Sequence, residues 1–271
     1  MSGFQLLARH KMFNGYQEYY RHTARDLPGE TGFSIYLPPQ ALQGYRVPVL
    51  YWLADNCDAA REFTACSGAQ RFAAQWSIAL VIPEIAAPII DQHPERCFYL
   101  NATQAPWQAY RLHDYLADEL PALLETEFPI STQRSLFGQG MGGHAALQLA
   151  LSRPERYHAV SAFAPTVSPE RTAWGEAFLN ACLDHPEERA AYDLTMLAQQ
   201  ATKKLPILID QGDTHPESEH LLSEQQAFIR TMRAAGFNIR YNLRTGYDSS
   251  HYFMASFMDT HLDFHADAFD L

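Results

Sequence analysis

The residues best placed to do chemistry lie in one string, Phe137-Gly-Gln-Gly-Met-Gly-Gly-His144. A short apolar run leads into it, and an apolar-periodic helical run leads out. Gly138 and Gly142 frame the turn as in a nucleophile elbow, where G-x-S-x-G holds a serine hydroxyl at a strained strand-to-helix corner. The chemistry of such a corner is acyl transfer: the hydroxyl attacks a carbonyl carbon, and the next backbone N–H steadies the oxyanion that forms. Here the middle position is Gly140, which has no side chain. Met141 still offers the N–H. The corner is written into the chain and the attacking group is not.

The surrounding elements must hold that corner in place. Asn14-Gly15, a two-residue hairpin signal, joins extended runs over 4–12 and 16–23, and a third run over 32–37 stops at Pro38-Pro39. Residues 47–54 form a near-continuous apolar run of the kind buried on both faces. The pattern then predicts a helix over 63–76, a buried strand over 78–83, and a helix over 110–125 with Leu112, Tyr115, Leu116, Leu120 and Leu123 on one side. Beyond the elbow come a strand over 159–164, a segment over 174–183, a strand over 205–210, a helix over 221–235, a strand over 238–244 and a closing helix over 251–266. Antiparallel strands followed by strands alternating with helices predict an α/β fold, with a mainly parallel central sheet and helices on both faces. No repeat or linker divides the chain, so residues 1–271 read as one domain.

Composition narrows the function. The 271 residues are 47% hydrophobic and 19% charged, enough apolar material for a sizeable core. A formal net charge of -11 argues against nucleic acid or an anionic membrane as partner, because both require a basic face. No run of eighteen apolar residues is present to span a bilayer, and the apolar run near the N-terminus is short for a secretory signal. Cys57, Cys66, Cys97 and Cys182 lack C-x-x-C spacing, which predicts reduced thiols in a cytoplasmic protein, with neither zinc nor a disulfide framework and no cofactor.

Several strings then point one way. They include Val49-Leu-Tyr-Trp-Leu53, Phe98-Tyr-Leu-Asn-Ala-Thr-Gln-Ala-Pro-Trp107, Tyr110-Arg-Leu-His-Asp-Tyr115 and Glu119-Leu-Pro-Ala122. Phe137–His144, Ser161-Ala-Phe-Ala-Pro165, Trp174-Gly175, Ile209-Asp-Gln-Gly212, Gly246-Tyr-Asp248 and Tyr252-Phe253 continue the series. With these, the chain resembles the S-formylglutathione hydrolase (esterase D) branch of the α/β-hydrolases over nearly its full length. The resemblance implies an α/β-hydrolase fold and a dimeric cytoplasmic serine thioesterase, acting on S-formylglutathione with side activity on small acyl esters.

Carried over residue by residue, it also implies where the catalytic groups should stand. The nucleophile position is Gly140. The acid position, three residues past the Asp-Gln-Gly turn, is His215. The base belongs to a Gly-Tyr-Asp-His-Ser pattern, and the string here is Gly246-Tyr-Asp-Ser-Ser250, so that position is Ser249. All three are replaced. Without a hydroxyl at 140 no acyl-enzyme forms, Ser249 is no base near neutral pH, and His215 brings no fixed negative charge. The family's Gly-Leu-Thr-Cys-Thr oxyanion loop reads Ala54-Asp-Asn-Cys-Asp58. The oxyanion region therefore falls on Asn56 and Met141, with the Asp55 carboxylate set against it. The stretch before Phe98 is shortened to 86–96, which reshapes the pocket mouth.

Other pocket candidates are Cys57, Trp107, His144, Trp174 and His251. Cys57 is the most nucleophilic side chain of the oxyanion loop, weighed against a structural thiol. His251 lies two residues past the base position, and His144 is read as packing. His215-Pro-Glu-Ser-Glu-His220 and the His261/His265 pair carry metal-ligand side chains, but solvated charges at a helix start and the lack of a third ligand argue against a metal. The expectation is a catalytically silent homologue whose remodelled pocket takes a small acyl or glutathione-like ligand or a protein partner. The alternatives are an esterase or thioesterase with a relocated nucleophile such as Cys57, and a structural subunit, homodimeric or paired with an active paralogue.

Overall fold

A computed structural model of the chain describes residues 3–56, 59–85, 98–214 and 218–271. In chain order its elements begin with β1 (Gln5–Met12), β2 (Gly15–Thr23), β3 (Glu30–Leu37), the one-turn helix α1 (Pro39–Leu42) and β4 (Val47–Leu53). There follow α2 (Ala59–Cys66), α3 (Ala69–Trp76), β5 (Ala79–Pro83), α4 (Leu112–Asp114), α5 (Leu120–Glu127) and β6 (Ile130–Gln139). The second half holds α6 (Gly140–Ser152), β7 (Val160–Phe163), α7 (Ala173–Cys182), α8 (Leu194–Gln200) and β8 (Ile207–Gly212). It closes with α9 (Ser218–Ala234), β9 (Ile239–Arg244), α10 (His251–Ser256) and α11 (Met258–Ala268).

The strands form one sheet in the order β1-β2-β3-β5-β4-β6-β7-β8-β9. β1, β2, β3 and β5 pair antiparallel, whereas β5, β4, β6, β7, β8 and β9 run parallel. All seven residues of β4 are buried, as its unbroken apolar run requires of a strand covered on both faces. The alternation of side chains along β7 shows the two layers. Ser161 and Phe163 point to α11, where they meet His265 and His261. Ala162 points the other way, toward Gly143 of α6.

Four sequence expectations need correction. The helix expected over 63–76 is two helices, because Gly68 takes a left-handed turn (φ +66) between α2 and α3. The helix expected over 110–125 is interrupted by a π turn at Tyr115–Glu119. That turn takes extra residues per revolution and rotates the later positions, so Leu123 ends up 36% exposed instead of sharing the buried face. The closing helix over 251–266 breaks at Phe257, whose φ of -127 and ψ of 15 leave the helical region. Pro186–Tyr192 (a 3-10 segment) and α8 were not anticipated, since neither carries a long apolar period.

What positions the site is the order of the central strands. The chain passes from β4 outward to β5, then returns to lay β6 on the other side of β4. The crevice of such a sheet lies where the winding reverses, outside the carboxyl ends of the flanking strands. Leu53 and Gly138 are paired across β4 and β6. Asp55 and Gly140, each two residues further along, leave the sheet together.

Candidate active site at the elbow

β6 runs directly into α6, and the turn needs glycine for reasons of space. A Cβ on Gly142 would lie 2.0 Å from the Leu53 carbonyl oxygen, and one on Gly138 would lie 2.4 Å from the Gly142 carbonyl oxygen. Strand and helix therefore touch backbone to backbone. Gly140, at the apex, has φ +53, a conformation that side-chain-bearing residues enter only with strain. Its carbonyl accepts from the Thr166 N–H at 3.1 Å.

The apex is occupied from the other strand. Asp55 Oδ1 accepts from the Met141 N–H at 2.7 Å. The same oxygen lies 2.0 Å from the point where a Cβ of residue 140 would sit. The first N–H groups of a helix have no intrahelical partner and carry the positive end of its dipole, so an anion is stabilised there. No side chain of α6's own N-cap, Gln139, caps the helix. Asp55 supplies that anion from within the chain, at the Met141 N–H.

The segment bearing Ser249 is tied to the same corner. The Gln139 side-chain amide donates to the Ser249 carbonyl, and Ser249 is half-buried. His251 opens α10 and pairs through Nε2 with Glu62 of α2 at 2.7 Å, while its Nδ1 is buried without a partner among the described residues. The pair bridges α2 and α10, a partnership no short-range pattern could reveal. Asn56 uses its side-chain oxygen to accept from the Ala59 N–H at 3.0 Å, starting α2. His215 and Cys57 lie outside the described residues.

His144 is buried. Its Nδ1 donates to the Thr166 carbonyl at 2.9 Å, and burial pushes the imidazole down to about 4, so it stays neutral near pH 7. Trp107 and Trp174 are half-buried against an apolar cluster that includes Phe98, Phe178 and Met141, with Trp174 5.5 Å from Phe98 between ring centres. This cluster backs the elbow helix. Beneath the sheet, Ser161 Oγ bridges His261 Nδ1 at 2.8 Å and His265 Nε2 at 2.9 Å. Burial lowers both imidazoles, His265 to about 3 and His261 well below its ordinary value. No group of three His, Cys, Asp or Glu residues able to hold a metal occurs among the described residues, and no helix among them is long and apolar enough to cross a membrane.

Comparison with known proteins agrees with this fold. A family model described as "Putative esterase" matches residues 24–264. An S-formylglutathione hydrolase from Agrobacterium tumefaciens is 30% identical, with a TM-score of 0.84 over 97% of this chain and 99% of that one. A ferulic acid esterase at 18% identity has a TM-score of 0.77 and covers 95% of this chain and 100% of that one. An S-formylglutathione hydrolase from Staphylococcus aureus at 12% identity has a TM-score of 0.74, covering 92% and 98%. The last two share the fold.

Proposed function

We propose that this chain, which belongs to the esterase family matched over residues 24–264, is a catalytically silent member whose oxyanion donor is held by its own Asp55. The observation that carries the reading is the 2.7 Å bond from the Met141 N–H to Asp55 Oδ1, at an apex that bears no side chain. Ester cleavage through an acyl-enzyme needs an attacking oxygen and free donors for the charge that develops. Gly140 supplies no oxygen, and the Met141 N–H already faces a negative charge. Ser249 and His215, at the positions that the resemblance gives to base and acid, cannot replace the missing relay. In place of turnover, the reading assigns the remodelled pocket to binding a small acyl or glutathione-like molecule, in a homodimer or beside an active paralogue.

The test is hydrolysis of p-nitrophenyl acetate and S-formylglutathione by the purified chain, beside labelling with a fluorophosphonate probe. The expected result is no rate above a heat-killed control and no label. Turnover that is lost in Cys57→Ala would instead identify a relocated cysteine nucleophile, and turnover that survives it would remove support for a silent site.

A further inference from the structure

A second concavity has a lining of its own, although Phe98 in its wall belongs to the cluster that backs the elbow helix. It is a cavity of about 250 Å³ between the turn at Pro169 and Glu170 and the 3-10 segment that leads into α8, and none of Asp55, Gly140, Met141 or Ser249 lines it. Its apolar wall comes from Phe98, Leu179, Tyr192 and Met196. Phe98 and Leu179 are each 3% exposed, and Phe98 packs on Phe178 at 5.1 Å between ring centres. Phe98 and Leu179 belong to a packed cluster, so that part of the wall is preformed.

The charged residues around it are of mostly one sign. Glu170, Glu187 and Asp193 line it together with one guanidinium, Arg189. Arg189 is turned to a neighbour outside the cavity, donating to the Asn180 side-chain oxygen. Asp193 uses Oδ1 to cap α8, accepting from the Thr195 and Met196 N–H groups at 2.8 and 3.0 Å. Glu170 is exposed as a whole residue, yet its carboxyl is held above the usual range, chiefly by burial, with the carboxylates of Asp193 and Glu224 adding to the effect and its own backbone N–H and Arg171 opposing it. A carboxylate desolvated beside like charges is relieved by a cation. The aromatic wall favours the same sign, because a ring face attracts positive charge.

We propose that this cavity is a binding site for a compact organic cation, a primary or quaternary amine on an apolar body. A volume of this size suits a ligand of roughly ten non-hydrogen atoms. The apolar wall takes the body, and the carboxylates of Glu170 and Glu187 balance the head. A merely solvated acidic rim would discriminate by charge without needing an apolar body, and an apolar dimple would ignore charge. The site requires both.

The experiment is isothermal titration of the full chain near pH 7 with benzyltrimethylammonium, with its uncharged isostere neopentylbenzene, and with phenylacetate. The cation should bind with a sub-millimolar Kd, and the neutral and anionic ligands about tenfold or more weaker. Tetramethylammonium, which lacks the apolar body, should also bind about tenfold weaker. Glu170→Gln should weaken cation binding about fivefold with an unchanged Tm, and Ala190→Trp, which fills the cavity, should abolish it. Asp55→Asn should leave the affinity within about twofold, because the elbow is a separate site. Equal affinity for cation and isostere, unchanged affinity in Glu170→Gln, or no binding of the cation at 10 mM would each overturn the proposal. Loss of binding in Asp55→Asn would move the cation to the elbow and overturn it as well, without restoring any ester hydrolysis.

Discussion

Asp55 Oδ1 lies 2.0 Å from the point that a Cβ on Gly140 would occupy, so the two positions cannot both carry these side chains in this conformation. The juxtaposition follows from the sheet. Leu53 and Gly138 pair across adjacent parallel strands, and the chains leaving them two residues later share one crevice. A side chain at the apex and a carboxylate on the facing loop are thus alternatives. Glycine at 140 is what lets the carboxylate reach the Met141 N–H.

Gly140→Ser should destabilise the chain. A non-glycine residue in a sparsely populated backbone region costs about 1–3 kcal/mol. Displacing a charge-assisted bond costs roughly 1.5–3 kcal/mol more. Against these stands about 0.4–1 kcal/mol from losing glycine's unfolded-state freedom. The net should be a loss of about 2 kcal/mol or more, which lowers Tm by several degrees in a chain of this size. Because much of the loss is the collision with Asp55, Asp55→Gly should relieve part of it. Additivity of the two substitutions within about 0.5 kcal/mol in denaturant unfolding would show that Asp55 swings aside freely.

Activity should return in an ordered way. Gly140→Ser alone should fail to hydrolyse p-nitrophenyl acetate for want of a base, and the triple variant with Ser249→His and His215→Asp should do so only slowly, because the displaced Asp55 carboxylate still lies beside the developing negative charge. Adding Asp55→Gly should raise that rate. Removing one oxyanion donor costs a hydrolase about 10²–10³ in rate, which sets the scale of the difference expected between triple and quadruple. A triple variant as fast as the quadruple would mean that the carboxylate does not block the donor.

Stability should fall in mild acid, before the carboxylates titrate. The His144, His261 and His265 imidazoles are buried, and burial holds each below its ordinary value, to about 4 for His144 and about 3 for His265. A group whose folded pKa is depressed favours the folded state above its unfolded pKa, and that advantage is lost as pH falls. Between an unfolded value near 6.5 and these folded values, each such histidine removes on the order of 1.4 kcal/mol per pH unit. Denaturant midpoints at pH 7.5, 6.5, 5.5 and 4.5 should fall steadily below pH 6.5. His144→Gln should flatten that slope, and an unchanged slope in this variant would show that His144 is protonated in the folded chain.

Ser161→Ala should be costly for so small a change. The hydroxyl serves His261 Nδ1 and His265 Nε2 at once, and both rings are fully buried. Its removal leaves two buried nitrogens unpartnered at about 1–3 kcal/mol each. Thermal unfolding should show a loss of about 2–4 kcal/mol at neutral pH. A loss under about 0.5 kcal/mol would mean that water replaces the hydroxyl in the core.

Much of the architecture was legible because it is local. The β1–β2 hairpin, the unbroken apolar run of β4 and the glycines of the elbow each declare themselves within a few residues. The turn itself is Phe13-Asn14, one residue earlier than the Asn14-Gly15 expected, and Gly15 of β2 is already paired with Met12. Helix continuity was less legible. Gly68 and the π turn at Tyr115–Glu119 alter phase without breaking the apolar count, so 63–76 and 110–125 each read as one helix.

The absence of a hydroxyl at Gly140 and the presence of a carboxylate at Asp55 are facts of the sequence alone. That these two face each other belongs to the tertiary structure. They are separated by more than eighty residues, and the winding reversal between β4 and β6 brings them to one crevice. Likewise the sequence names His251, Glu62, Ser161, His261 and His265, but only the packing of α10 on α2 and of α11 on β7 makes partners of them. Residue types determine which bonds are chemically available. Which of them form depends on strand order and helix placement, because a hydrogen bond needs its atoms within about 3 Å and chain distance carries no such information.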